Sequence, residues 1–257
     1  MTNNPVFSPK VSIITVTYNA AERLAKTIDS VISQSYKNIE FIIIDGASTD
    51  STTEIIQKKI GSIDYWVSEP DHGIYDAMNK GLAVATGEYV QFLNAGDYFL
   101  DNDSLKTLVE SAKQPYDVIY GDIMLVNADG GGIRNHKAMA FNIDNLKLFG
   151  TGVICHQAML VNRDIAPMYD TKFRYKGELC WYFDICLNKN GDLRCFHYQK
   201  PLVYYFLGGL GYQNFIRNRF EWYKLLYLRF GGKSVINKKF LKFIYNDFKN
   251  RYKMLRF

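Results

Sequence analysis

A chain of 257 residues, 47% hydrophobic and 22% charged, can bury its own core without disulfide or metal staples and is too apolar for wholesale disorder. No apolar run approaches the ~18 residues of a membrane-spanning helix. None of the four cysteines (Cys155, Cys180, Cys186, Cys195) forms a C-x-x-C pair and no signal peptide precedes them, so a reducing cytoplasm with free thiols is expected. Charge is uneven: residues 213–257 hold 12 Lys/Arg against 2 acids, net +10 in a chain of total +5, which leaves −5 on residues 1–212. The same segment holds 12 of the 39 aromatics. An acidic body and a basic, aromatic tail are expected to meet different neighbours.

In chain order, Val11 to Asn19 reads as a buried strand ending in polar residues, and Leu24, Ile28, Val31 and Ile32 recur at helical spacing. IEFIIIDGASTD is a second strand running into a polar turn, and Ser51 with Glu54 forms the S-x-x-E pattern of a capping box. IDYWVSEP is a third strand, Tyr75 to Ala85 a helix, and Glu88 to Leu93 a fourth strand. This alternation predicts βαβ units: a mostly parallel α/β sheet with helices on both faces. Such sheets bind ligands beyond the carboxyl ends of their strands. That points to Thr17, Tyr18 and Asn19, then Asp45, then Glu69 and Asp71, then Asn94 and Asp97. Further on, DVIYGDIMLV and VICHQAMLV read as strands and Leu179 to Leu187 as a helix. A soft boundary falls near Tyr212, after the glycine-rich Leu207 to Gly211. His72, Asp76, Asn79 and Lys80 share one face of the 75–85 helix.

VSIITVTYN, then IIIDGASTD, then DHGIYDAMNKGLAVATGEYVQFLNAGD together resemble the nucleotide-sugar-binding half of family 2 glycosyltransferases, which have the GT-A fold. The likeness is most specific over residues 10–100 and weaker from 115 to 212. Within the family the chain looks most like bacterial enzymes that build capsule, lipopolysaccharide or colanic-acid type polysaccharides. The resemblance implies a Rossmann-like GT-A domain over residues 1–212, with a nucleotide-sugar half at 10–100 and an acceptor half at 101–212. A helical basic tail at 213–257 follows.

The resemblance also implies roles. Thr17, Tyr18, Asn19, Asp45, Asp71, Asp76, Asn79, Lys80, Asn94 and Ala95 would bind the donor, a nucleotide-sugar with UDP favoured. LNAGD stands where the family has its D-x-D metal motif; Asn94 and Gly96 replace acids and leave Asp97 as the ligand for Mn²⁺ or Mg²⁺. His156 and Gln157 resemble the His-Gln near the acceptor or phosphate of related enzymes. The general base is expected at the start of the helix in KGELCWYFDICL, as Glu178 or Asp184, with Cys180 standing where the family often has a second acid. Leu207 to Gly211 resembles a loop that closes over donor phosphates.

The expected activity is inverting, metal-dependent transfer of a hexosyl or N-acetylhexosaminyl group to a hydroxyl of a lipid-linked saccharide. Two alternatives stand beside it: a sugar-nucleotide-binding protein without transfer activity, and a nucleotidyltransferase. The latter would normally carry a glycine- and basic-rich phosphate loop after the first strand, which VTYNAAERL is not. In the tail, Ile236, Phe240, Ile244, Phe248 and Tyr252 recur every four residues, with Lys242, Lys249, Lys253 and Arg256 on another stripe. A basic amphipathic helix of this kind reads as a membrane-surface element on the inner face of the cell membrane. No nucleic-acid-binding module is recognisable, and an oligomer is left open.

Overall fold

The computed structural model describes residues 7–127, 131–190, 192–207 and 214–232. Among them nine strands form one mixed sheet in the order β3-β2-β1-β4-β8-β6-β9-β5, with β7 paired to β6. The strands are β1 (Val11–Thr17), β2 (Ile39–Asp45), β3 (Tyr65–Ser68), β4 (Tyr89–Phe92), β5 (Tyr98–Phe99), β6 (Val118–Val126), β7 (Ile133–His136), β8 (Met159–Asn162) and β9 (Cys195–Phe206). β1 runs parallel to β2 and β4, and β2 to β3. β8 is antiparallel to both β4 and β6, and so joins the strands of the first hundred residues to those that follow. β1 is buried along its whole length, as a parallel strand covered on both faces must be.

The period of two along the strands divides the core between the two faces. Ile14, Val16, Ile42 and Ile44 face α3 (Ile74–Val84), α5 (Ile143–Phe149), α6 (Gly177–Asn188) and α7 (Phe215–Phe230). Val11, Ile13, Phe41 and Ile43 face α1 (Ala21–Ile32), α2 (Thr52–Lys58) and α4 (Ser104–Ala112).

Four sequence expectations need correction. The capping box does not form: Ser51 makes no side-chain cap, and Asp50 instead accepts the backbone N–H groups of Thr52 and Ala21 at 3.0 and 3.2 Å. VICHQAMLV is a strand only from Met159; His156–Ala158 is a 3₁₀ turn. A strand would send His156 and Gln157 to opposite faces, whereas both line one cavity. Between Arg134 and Ile165 the sequence offers no element besides VICHQAMLV, whereas the structure also holds most of β7 and all of α5 there.

Finally, the first part of the expected tail is not separate. α7 docks on the body through Trp222, Leu225 and Leu226, all at most 3% exposed, and Phe230 packs edge-on against Phe183 at 4.9 Å. The amphipathic stripe from Ile236 onward lies outside the described residues. Among the described residues no helix is long and apolar enough to cross a membrane.

Candidate active site

The carboxyl ends of β1 and β4, the 156–158 turn, the start of α6 and the end of β9 surround a cavity of about 700 Å³. The wall at the ends of β1 and β4 and the start of α1 carries Tyr18, Arg23, Asn94, Ala95, Gly96 and Asp97. Asp97 is 6% exposed. Its Oδ1 accepts the Phe206 N–H and its Oδ2 accepts Gln157 Nε2, both at 2.9 Å, so it ties β9 and the 156–158 turn to the end of β4. Burial pushes the Asp97 carboxyl up to about 7, although those hydrogen bonds and the nearby charges of His156 and Arg23 act to lower it.

Opposite in sequence, but on the same cavity, stands Glu178 in the first turn of α6. Its Oε1 lies 2.7 Å from His156 Nδ1 and accepts the Tyr182 hydroxyl at 2.6 Å. His156 Nε2 lies 3.2 Å from Asn94 Nδ2. Burial acts to raise the Glu178 carboxyl, but the charge and hydrogen bond of His156, the Tyr182 hydroxyl and the Lys176 charge outweigh it and hold it below its usual value. Both of these close polar contacts fall on Oε1, and among the described residues Oε2 has no such contact. Beneath the pair lies an aromatic stack: Tyr75 on Tyr169 at 5.3 Å, and Tyr169 on Trp181 at 5.0 Å and 8°.

Asp184 takes no part in this arrangement. It sits on the other side of α6, 2.9 Å from Arg229 of α7, and does not line the cavity. Six residues separate it from Glu178, which on a helix is a rotation of about 240°. Glu178 is therefore the carboxylate that the fold presents.

The sequence-derived donor residues divide. Tyr18, Asn94 and Ala95 line the cavity, as do His156 and Gln157. Thr17 ends β1 with its hydroxyl buried and without a partner among the described residues. Asn19 accepts the Thr49 N–H at 2.8 Å and ties two loops together. Asp45 is fully buried, accepting Ser48 N–H at 2.9 Å and the Ser68 hydroxyl at 2.6 Å. Asp71 leans over Gly46, so its carboxylate occupies the space that a side chain at 46 would fill. Asp76 accepts the His72 N–H at 3.0 Å. Asn79 exchanges two hydrogen bonds with the Tyr169 backbone, and Lys80 pairs with Glu69 at 2.7 Å. Asn19, Asp45, Asp71, Asp76, Asn79 and Lys80 lie outside the cavity wall.

Sequence reasoning missed Arg23, Tyr75, Arg174, Lys176, Arg219 and Trp222, all in that wall. Arg23 had a findable signal, a cation in the first turn of the helix after β1. Lys176, two residues before Glu178, had one too. Arg219 and Trp222 were hidden by their place in a segment whose aromatics and charges suit a membrane surface equally well.

Among the described residues no three His, Cys, Asp or Glu side chains stand together as a metal site. A hard cation could take only Asp97 and Asn94 Oδ1, a buried oxygen without a partner among the described residues. Each Asp97 oxygen accepts one N–H and keeps a further lone pair. Two oxygen donors suit Mg²⁺ or Mn²⁺ when phosphate oxygens complete the shell.

This sheet, with its cavity at the strand ends and a buried carboxylate at the start of a helix, is that of a GT-A glycosyltransferase. The chain belongs to glycosyl transferase family 2, whose family model matches residues 12–167. It is 31% identical over 245 residues to a PGL/p-HBAD biosynthesis glycosyltransferase of Mycobacterium bovis (strain BCG / Pasteur 1173P2), covering 91% of this chain and 84% of that protein. It is 38% identical over 174 residues to an uncharacterized glycosyltransferase of Mycobacterium tuberculosis (strain CDC 1551 / Oshkosh), covering 65% and 64%. In fold it is similar to S. aureus TarS 1-349 in complex with UDP-GlcNAc, at TM-score 0.65 and 18% identity, covering 85% of this chain and 65% of that one. It is also similar to the mannosyltransferase PcManGT from Pyrobaculum calidifontis in complex with GDP-Man and Mn²⁺, at TM-score 0.61 and 17% identity, covering 94% and 72%.

Proposed function

We propose that this glycosyltransferase moves a hexosyl or N-acetylhexosaminyl group, with inversion, from a nucleoside diphosphate sugar to a hydroxyl of a lipid-linked saccharide in bacterial surface polysaccharide synthesis. A UDP-sugar is the favoured donor. The observation that carries the reading is the Glu178 carboxylate, held ionised at the cavity through Oε1 by His156 and Tyr182. Oε2 takes the proton of the attacking hydroxyl. The new O–C1 bond forms as the C1–O bond to phosphate breaks, and the diphosphate leaves with that electron pair. His156, fixed between Glu178 and Asn94, holds the base in place. Asp97 and Asn94 would hold Mn²⁺ or Mg²⁺; when bound, the cation supplies charge neutralisation to the departing diphosphate. Tyr18 and Arg23 flank the same wall and suit the base and phosphates of the donor.

The body would work at the inner face of the cell membrane, brought there by the basic residues beyond α7. Support comes from the charge of that segment, net +7 over residues 233–257. The test is a thermal-shift panel of UDP-, GDP- and dTDP-sugars with and without Mn²⁺, since a ligand of the folded state raises the midpoint by mass action. Transfer and hydrolysis assays follow on the donor that binds. A donor that binds but is neither transferred nor hydrolysed would favour a sugar-nucleotide-binding protein, and failure of every donor would overturn the reading.

A further inference from the structure

Two cations share one indole in the cavity wall. Lys176 Nζ lies 5.6 Å from the centre of the Trp222 ring, and the Arg219 guanidinium carbon lies 4.8 Å from it. Lys176 is only 7% exposed, yet its ammonium makes no hydrogen bond or ion pair with any described residue. The neighbouring acids are engaged elsewhere. Glu221 accepts the backbone N–H groups of Arg174, Tyr175 and Lys176 at 3.0, 2.6 and 3.0 Å. Glu178 is held by His156 and Tyr182. The Lys176 side chain is largely buried but its ammonium opens onto the cavity, where cation–π contact stands in only in part for an anion.

We propose that Lys176 and Arg219 form an anion subsite that takes a phosphate ester carried by the acceptor. Its place decides between the two phosphates in the reaction. In an inverting displacement the base and the leaving diphosphate lie on opposite faces of C1. Lys176 immediately precedes α6, two residues from Glu178, whereas Asn94 and Asp97 follow β4 and Arg23 lies in the first turn of α1, on the side expected to hold the donor. An anion beside the base therefore belongs to the attacking molecule. Burial and the Arg219 charge press the Lys176 ammonium down to about 8, which still leaves it mostly protonated at neutral pH. This inference rests on the inverting transfer and the base proposed above.

The test uses the full chain, with inorganic phosphate as the probe. Phosphate is titrated by calorimetry into protein saturated with UDP, for the wild type, Lys176→Met and Arg219→Gln. The expected result is phosphate binding alongside UDP, weakened about tenfold or more in each variant, with UDP affinity within about twofold. Thermal midpoints confirm that the variants are folded, and Arg219→Gln, at a less buried position, stands in should Lys176→Met fail. Phosphate that competes with UDP, or variants that lose UDP and phosphate together, would assign the pair to the donor and overturn the proposal. No phosphate binding by the wild type, or unchanged binding in both variants, would overturn it as well. Should UDP itself not bind, the donor reading fails, and the phosphate titration without nucleotide still decides whether the Lys176 subsite exists.

Discussion

The ring of Tyr75 lies directly against Gly177: a Cβ added at 177 would meet Cδ2 and Cε2 of the ring at 2.6 Å. The ring has nowhere to retreat, because it stacks on Tyr169, which stacks on Trp181. Gly177 begins α6 and precedes Glu178. Gly177→Ala is expected to push the start of α6 away and lower kcat about tenfold or more, since a displacement of about 1 Å can cost up to 10²-fold. Donor affinity should hold. A smaller ring partner, Tyr75→Leu, should recover part of the loss in the double variant; no recovery would show that the contact is not the cause.

Glu178→Gln should keep the donor dissociation constant and reduce turnover about 10²-fold or more. Asp184→Asn should leave turnover near wild type and lower the thermal midpoint instead, because Arg229 loses its partner. The opposite pattern would move the base to Asp184. Since Glu178 is held below its usual range, the acid limb of the turnover–pH profile should fall below that of a free glutamate. Below that limb the carboxylate is protonated and the base is lost.

Asp97 predicts the reverse sign. Its carboxyl is raised to about 7 in the folded protein from about 3.9 in an unfolded chain. The folded state then favours the proton, so stability from this group is greatest at low pH and is lost as pH rises from ~4 to ~7. Relative to wild type, the midpoint of Asp97→Asn should therefore gain between pH 5 and about 7 and level off above that. Mn²⁺ enhancement of nucleotide affinity should grow over the upper part of the same range, as the ligand must be deprotonated, and should vanish in the variant. A difference between the two proteins that is flat with pH would refute the assignment.

Two truncations separate the parts of the basic segment. Removing residues 214–257 takes away Trp222, Leu225 and Leu226 and is expected to give an unfolded or insoluble protein. Removing 233–257 should preserve donor binding and release the protein from anionic vesicles. That piece has eight Lys/Arg and one acid. If half the cations face the lipid at ~1 kcal/mol each, partitioning falls about a thousandfold. Co-sedimentation with anionic and neutral vesicles at two salt concentrations reads this; equal pelleting of both proteins would rule it out.

The nucleotide half was legible because its order is local. Continuous apolar runs such as VSIITVT and IEFIIID can only be buried parallel strands, and their polar ends mark the ligand side. Glu178 was legible as a helix-start acid. Its partner was not, since His156 and Glu178 are 22 residues apart and meet only through packing of the 156–158 turn against α6. Asp45, Asn79 and Lys80 are harder to read for a related reason. Polar residues at strand ends also cap turns and join segments, and their spacing is the same in either role. The docking of α7 was not legible because the apolar stripe of an amphipathic helix does not say whether lipid or protein covers it.

Glu221 carries a consequence for the order in which the protein is made. Its carboxylate holds three successive backbone amides just ahead of Glu178, yet it is translated 43 residues later. A nascent chain that stops short of α7 contains every strand of the sheet but leaves residues 174–176 unanchored. The sheet can form during synthesis, whereas the segment leading into Glu178 is anchored only once α7 has been made and has folded back, so the cavity is completed after the sheet.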